Sequence, residues 1–121
     1  MADVEIVSKS RCFGGEASPS EVPWGRDAFT TYLGPDRAAW GEWDANALVA
    51  EAAERLPILI DQGTADGFLG TQLLPEVFAA TCGRHGHPCE TRMRDGYDHS
   101  DWFIATFLPD HFAHHAAALK S

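Results

Sequence analysis

Two short polar stretches hold the residues best suited to proton chemistry in this chain. Asp61-Gln62-Gly63-Thr64-Ala65-Asp66-Gly67 supplies two carboxylates, Asp61 and Asp66, and Asp95-Gly96-Tyr97-Asp98-His99 supplies Asp98 and an imidazole, His99. A carboxylate set against an imidazole is the orienting and proton-accepting part of a nucleophilic triad. The acid fixes the tautomer of the ring and stabilises the imidazolium that forms during the reaction. The pairing requires that the two stretches be brought side by side, which is the work of the elements before them.

Each stretch follows a predicted strand. Ile58-Leu59-Ile60 is short, continuously apolar and largely β-branched, the pattern of a buried parallel strand. Cys89 to Arg94 alternates, with Cys89, Thr91 and Met93 on one side and Glu90, Arg92 and Arg94 on the other, as in a half-exposed strand near a sheet edge. Helical patterns surround them. Asp27 to Leu33 is stopped by Gly34-Pro35. Asp44 is an N-cap for a helix with Leu48, Val49, Ala52, Ala53 and Leu56 on one face, ended by Pro57. Thr71 to Cys82 places Leu73 with Val77, and Leu74 with Phe78 and Cys82, at helical spacing, closed by Gly83 and Gly86. A last helix takes its buried stripe from Phe103 with Phe107 and from Ile104, Leu108 and Phe112, and Pro109 is expected to kink or divide it. The order is that of an α/β fold with parallel strands flanked by helices. In such sheets the loops at the carboxyl ends of the strands line the functional crevice. Neighbouring strands lie about 4.8 Å apart, so side chains of the two polar stretches can meet.

Composition narrows the function. The 121 residues suffice for one compact domain, with 45% hydrophobic and 22% charged residues. The formal charge of −9, from 9 Lys plus Arg against 18 Asp plus Glu, repels a phosphate backbone and argues against nucleic-acid partners. No apolar run approaches the roughly 18 residues needed to cross a membrane. Met1-Ala2-Asp3-Val4-Glu5 lacks the basic and apolar regions of a secretory signal. Cys12, Cys82 and Cys89 are odd in number and lack CxxC spacing, which argues against a disulfide framework or a structural zinc site and for a reducing cytoplasm. Cys82 falls on an apolar helix face as inert core, and nothing marks Cys89 as a nucleophile.

Other residues have structural readings. His111, His114 and His115 share helical spacing that could serve a metal, but a solvated helix end whose imidazoles complement the dipole explains them, and no metal is expected. His85 and His87 read as loop residues. Trp40, Trp43 and Trp102 read as packing, Trp102 directly after the polar loop.

Dense motifs then carry a resemblance. Ile58-Leu59-Ile60-Asp61-Gln62-Gly63, Asp66-Gly67-Phe68-Leu69, Gln72-Leu73-Leu74-Pro75, Gly96-Tyr97-Asp98-His99-Ser100 with Phe103-Ile104-Ala105-Thr106-Phe107, and Val22-Pro23-Trp24-Gly25 with Ala28-Phe29 and Tyr32-Leu33-Gly34 closely resemble S-formylglutathione hydrolases of the esterase D type. The resemblance runs from about residue 20 to the C-terminus, and residues 1–19 are expected to be an irregular lead-in outside it. It implies that residues 20–121 are the C-terminal part of an α/β-hydrolase fold. It further implies a cytoplasmic serine-type thioesterase and carboxylesterase that cleaves S-formylglutathione to formate and glutathione and needs no cofactor. By motif match the catalytic acid falls on Asp66 and the base on His99, in the chain order acid then base of that fold. Asp61 is the second candidate acid, at a position that reads as structural in the family. Trp24 is expected to line the acyl pocket.

The family's serine sits in a G-x-S-x-G elbow, and none of Ser8, Ser10, Ser18, Ser20, Ser100 and Ser121 lies in that frame. A truncated chain is therefore expected, with acid and base present, nucleophile and oxyanion hole elsewhere, and little turnover alone. An early strand left with an unpaired edge would favour association, such as a homodimer, and a non-catalytic remnant or interaction fragment is the alternative reading.

Overall fold

The computed structural model describes residues 17–120 and the backbone of residues 11–13. The sheet has three strands in the order β1 (Arg11–Phe13), β2 (Ile58–Gly63), β3 (Cys89–Arg94). Both pairings are parallel: Cys12 lies beside Ile60, and Ile60 beside Thr91. Strand β1 falls in the stretch expected to be irregular. Three residues carry no readable periodicity, and their pairing partner lies far along the chain.

The helices are α1 (Pro23–Leu33), α2 (Ala45–Glu51), α3 (Pro75–His85) and α4 (Asp101–Lys120). Proline at the first helical position starts α1 four residues earlier than its apolar pattern suggested. Asp44 caps α2 as expected, accepting from Asn46 N at 2.8 Å, and also takes Ser20 N at 3.0 Å. The helix ends at Glu51 rather than at Pro57, with Ala52 extended.

Ala45, Leu48, Val49 and Ala52, with Phe78 and Cys82 of α3, pack on Ile58 and Ile60 to form the core. Burying each of the larger side chains contributes about 1.5–3 kcal/mol. The Cys82 thiol is pushed above its ordinary value by its hydrogen bond with Cys89 and by burial, so it stays protonated within this core.

Strand β2 is buried throughout and runs three residues past its apolar segment. Its polar end survives burial because Asp61 and Gln62 both have hydrogen-bond partners. After it, the expected helix Thr71–Cys82 is broken. A π-type turn over Leu69–Leu73 is followed by Leu74 at φ 42°, and α3 starts at Pro75. Proline disfavours right-handed helical backbone at the residue before it, which breaks the helix at Leu74; that residue takes the left-handed region rather than the extended backbone usual before proline. Gly83 continues α3, and Gly86, at φ 66°, caps it.

Helix α4 covers the opposite face of β2 and passes through Pro109 without a break. Its buried stripe is not Ile104, Leu108 and Phe112, which are exposed. Phe103 and His111 are buried, with Phe107 between them against Tyr97 and Phe103. The stripe is one residue round from the most apolar one because the facing strand offers Asp61, which selects an imidazole rather than a methyl group. Trp102, expected to pack, is 72% exposed. No helix among the described residues is long and apolar enough to cross a membrane.

Candidate active site

The loop after β2 and the loop after β3 are fastened to each other. Thr64 N donates to Arg94 O and Ala65 N to Tyr97 O, each at 3.0 Å. Thr64 Oγ1 accepts from Gly96 N at 2.9 Å and donates to Asp95 Oδ1 at 3.2 Å. Gly96 turns the second loop at φ 78°. Gly63 allows the loops to close: a Cβ there would overlap the Tyr97 carbonyl, two residues before His99.

This contact brings Asp66 and His99 together. His99 Nδ1 donates to Asp66 Oδ2 at 2.8 Å. The carboxylate is also held by Phe68 N on Oδ1 at 2.9 Å and by Gln62 Nε2 on Oδ2 at 3.2 Å. Burial pushes the Asp66 carboxyl up, but the hydrogen bonds from Phe68 N–H, His99 and Gln62 outweigh it and set it below its usual value. The Asp66 side chain is 1% exposed and that of His99 48%. With Nδ1 donating to the acid, the Nε2 lone pair is left as the proton acceptor, on a ring that solvent or substrate can reach.

Aromatic side chains flank the imidazole. Phe68 meets the His99 ring edge-on at 5.5 Å, and Trp24 meets Phe68 at 4.6 Å. Trp24 stands at the start of α1, with its backbone N–H on Gln72 Oε1 at 3.0 Å. The three rings form a partly open wall that begins at His99.

Asp61 goes elsewhere. It is fully buried and takes Arg92 Nε at 3.0 Å, Arg92 Nη2 at 2.6 Å, Arg94 Nε at 2.6 Å and His111 Nε2 at 2.8 Å. Both guanidinium groups also approach Asp110, at 3.2 and 3.7 Å. Burial raises the Asp61 carboxyl, but the bonds from Arg92, His111 and Arg94 bring it below its ordinary value, and the same pairing raises Arg92. His111 is therefore a buried partner of Asp61, not a solvated helix-end residue. The parity of β2 carried the missing signal: Asp61 shares the Leu59 face, and Arg92 and Arg94 alternate toward it from β3. His114 Nε2 meets Pro57 O at 3.0 Å. Among the described residues no group of three or more His, Cys, Asp or Glu side chains is placed to hold a metal ion.

Residues 5–114 match the putative esterase family. The chain is 46% identical over 121 residues to the S-formylglutathione hydrolase of Arabidopsis thaliana, covering 99% of this chain and 43% of that protein. It is 46% identical over 111 residues to the S-formylglutathione hydrolase of Rattus norvegicus, covering 90% of this chain and 39% of that one. Among solved structures, an S-formylglutathione hydrolase from Agrobacterium tumefaciens superposes with a TM-score of 0.85 at 38% identity, over 96% of this chain and 44% of the other. The family match begins inside residues 1–19, the segment the motifs left outside the resemblance. The chain spans less than half the length of these relatives. Its fold is part of an α/β-hydrolase fold, and the chain belongs to the putative esterase family, in which these relatives are S-formylglutathione hydrolases.

Proposed function

We propose that this chain supplies the acid and the base of a serine-type thioesterase and carboxylesterase whose substrate is S-formylglutathione. The observation that carries the reading is the 2.8 Å bond from His99 Nδ1 to Asp66 Oδ2, on an imidazole that is half exposed. His99 Nε2 takes the proton of a serine hydroxyl as Oγ attacks the formyl carbon, and Asp66 stabilises the resulting imidazolium. When the carbon–sulfur bond breaks, the imidazolium gives that proton to the glutathione thiolate. Water, activated by the same nitrogen, then cleaves the formyl ester and releases formate. Neither step calls for a metal or an organic cofactor. Trp24 and Phe68 wall the acyl side, where a formyl group needs little room.

The serine elbow is absent from the 121 residues, so the nucleophile and its oxyanion donors come from the preceding part of the hydrolase domain. The purified chain is expected to show no steady turnover of S-formylglutathione. Co-expression with the serine-bearing N-terminal half of a relative should restore turnover, and restoration that survives Asp66→Asn and His99→Asn together would refute the assignment. We place the reaction in the cytoplasm, in keeping with the free thiols Cys82 and Cys89. A second reading, self-association of the isolated chain, is favoured by the exposed row Ile104, Leu108 and Phe112 on α4. Sedimentation that shows only monomer at micromolar concentration would exclude it.

A further inference from the structure

Gln62 lies at the end of β2, 1% exposed, with its amide nitrogen between two oxygens. One is Gly63 O at 3.1 Å and the other Asp66 Oδ2 at 3.2 Å. Both neighbours accept only, so the side chain must present its nitrogen to them, and the two amide hydrogens match the two acceptors. Oδ2 is also the oxygen that takes His99 Nδ1, while Oδ1 is held by Phe68 N. Gln62 and Phe68 thus grip the carboxylate from two sides, and the oxygen left in reach of the second loop is the one that meets the imidazole.

We propose that Gln62 is a positioning residue for the acid–base pair, holding Asp66 Oδ2 where His99 needs it through a neutral donor. This rests on reading Asp66 and His99 as acid and base. Neutrality is the point of the amide. A guanidinium at this place would neutralise Asp66, as Arg92 and Arg94 do Asp61, and leave less negative charge to stabilise an imidazolium. An apolar residue would remove one of the bonds that keep the carboxyl below its usual value and would strip Gly63 O of a donor.

The test uses the 121-residue chain, with the Asp66 carboxyl carbon and the His99 ring followed by NMR against pH. Gln62→Leu should raise the Asp66 titration by about one pH unit, as expected when a hydrogen bond to the charged form is lost. Gln62→Glu keeps the shape and covers the case in which the leucine variant does not fold. Its new carboxyl faces two acceptors, so it should titrate about one pH unit or more above an ordinary glutamate and in concert with Asp66. Gln62→Asn should fall between wild type and Gln62→Leu. An ordinary glutamate titration with Asp66 unmoved would overturn the proposal. Asp66→Asn separates the two levels of the argument. If it leaves the His99 ring tautomer, read from its nitrogen shifts, unchanged, the acid–base reading fails. If it changes that tautomer while the Gln62 variants leave Asp66 untouched, only the role of Gln62 fails.

Discussion

Two aspartate–histidine pairs stand near the same end of β2, one on the strand and one in the loop beyond it, and they share little but the length of the bond. Asp66–His99 and Asp61–His111 both close at 2.8 Å. The imidazole of the first is 48% exposed and that of the second 2%. The donors around the acids differ as well. Asp66 is held by a backbone N–H and an amide, both neutral, so its charge remains to act on whatever His99 becomes. Asp61 already faces two guanidinium groups, and its charge is neutralised within the fold. A short carboxylate–imidazole bond is therefore no mark of a proton relay by itself. On the proposed reading, what would distinguish a working pair is an open ring and an acid without a resident cation.

The largest expected effect breaks the first pair. In the enzyme reconstituted with a serine-bearing half, Asp66→Asn should lower kcat/KM about 10⁴-fold, because the ring loses its tautomer and its partner charge. Asp61→Asn should leave the kcat/KM of correctly folded material near the wild-type value. Hydrolysis of S-formylglutathione checks both, and comparable losses of kcat/KM in the two variants would erase the distinction.

Stability should show the reverse order. Removing the Asp61 charge leaves Arg92 and Arg94 with Asp110 as the ion-pair partner they still share among the described residues. Breaking a buried pair in this way costs about 3 kcal/mol. Asp66→Asn removes hydrogen bonds from a site where one partner is half exposed, and about 1 kcal/mol is expected. Urea denaturation of the 121-residue chain measures both, and an Asp66 loss equal to that of Asp61 would mean that both pairs are structural.

The pH dependence follows from the direction of the shifts. Both carboxyls lie below the ordinary value of 3.8 in the folded chain. Each therefore contributes stability that is fully present above the unfolded pKa and is lost as pH falls through the folded one. Unfolding free energy should decline below about pH 4 and hold steady just above it, as far as these two groups are concerned. Asp61→Asn and Asp66→Asn should each flatten that decline, and an acid titration of stability that either substitution leaves unchanged would count against a lowered carboxyl at that position.

Much of this arrangement was legible in the residues. The strands Ile58-Leu59-Ile60 and Cys89 to Arg94, the cap at Asp44 and the loop pair bearing Asp66 and His99 all follow from local pattern, because each element buries a face that its own sequence defines. What escaped depended on partners far along the chain. The extension of β2 through Asp61 and Gln62 makes sense only once Arg92, Arg94, His111 and Asp66 are in place. Of the stripe expected on α4, Phe103 with Phe107 holds and Ile104, Leu108 and Phe112 do not, for the same reason, since hydrophobicity points to the latter row while the carboxylate opposite demands His111. Strand β1, too short for a period, is defined by β2 alone.

The smallest expected effect sharpens the comparison at the open pair. Trp24 touches Phe68, and Phe68 touches His99, so the indole lies one ring away from the proposed base. Trp24→Ala should therefore leave the pH dependence of the reconstituted enzyme unchanged while enlarging the acyl side of the site. Discrimination by one methylene in a pocket is worth about 10-fold or somewhat more. The ratio of kcat/KM for formyl over acetyl and propionyl thioesters should fall by roughly that factor, chiefly through faster turnover of the larger acyl groups. An altered pH profile with an unchanged acyl preference would mean that the ring tunes His99 rather than bounding the pocket. The contrast between the two pairs would then extend to the aromatic side chains around them: Phe68 and Trp24 beside the open imidazole, and Phe107, stacked under the Arg94 guanidinium at 4.1 Å, beside the sealed one.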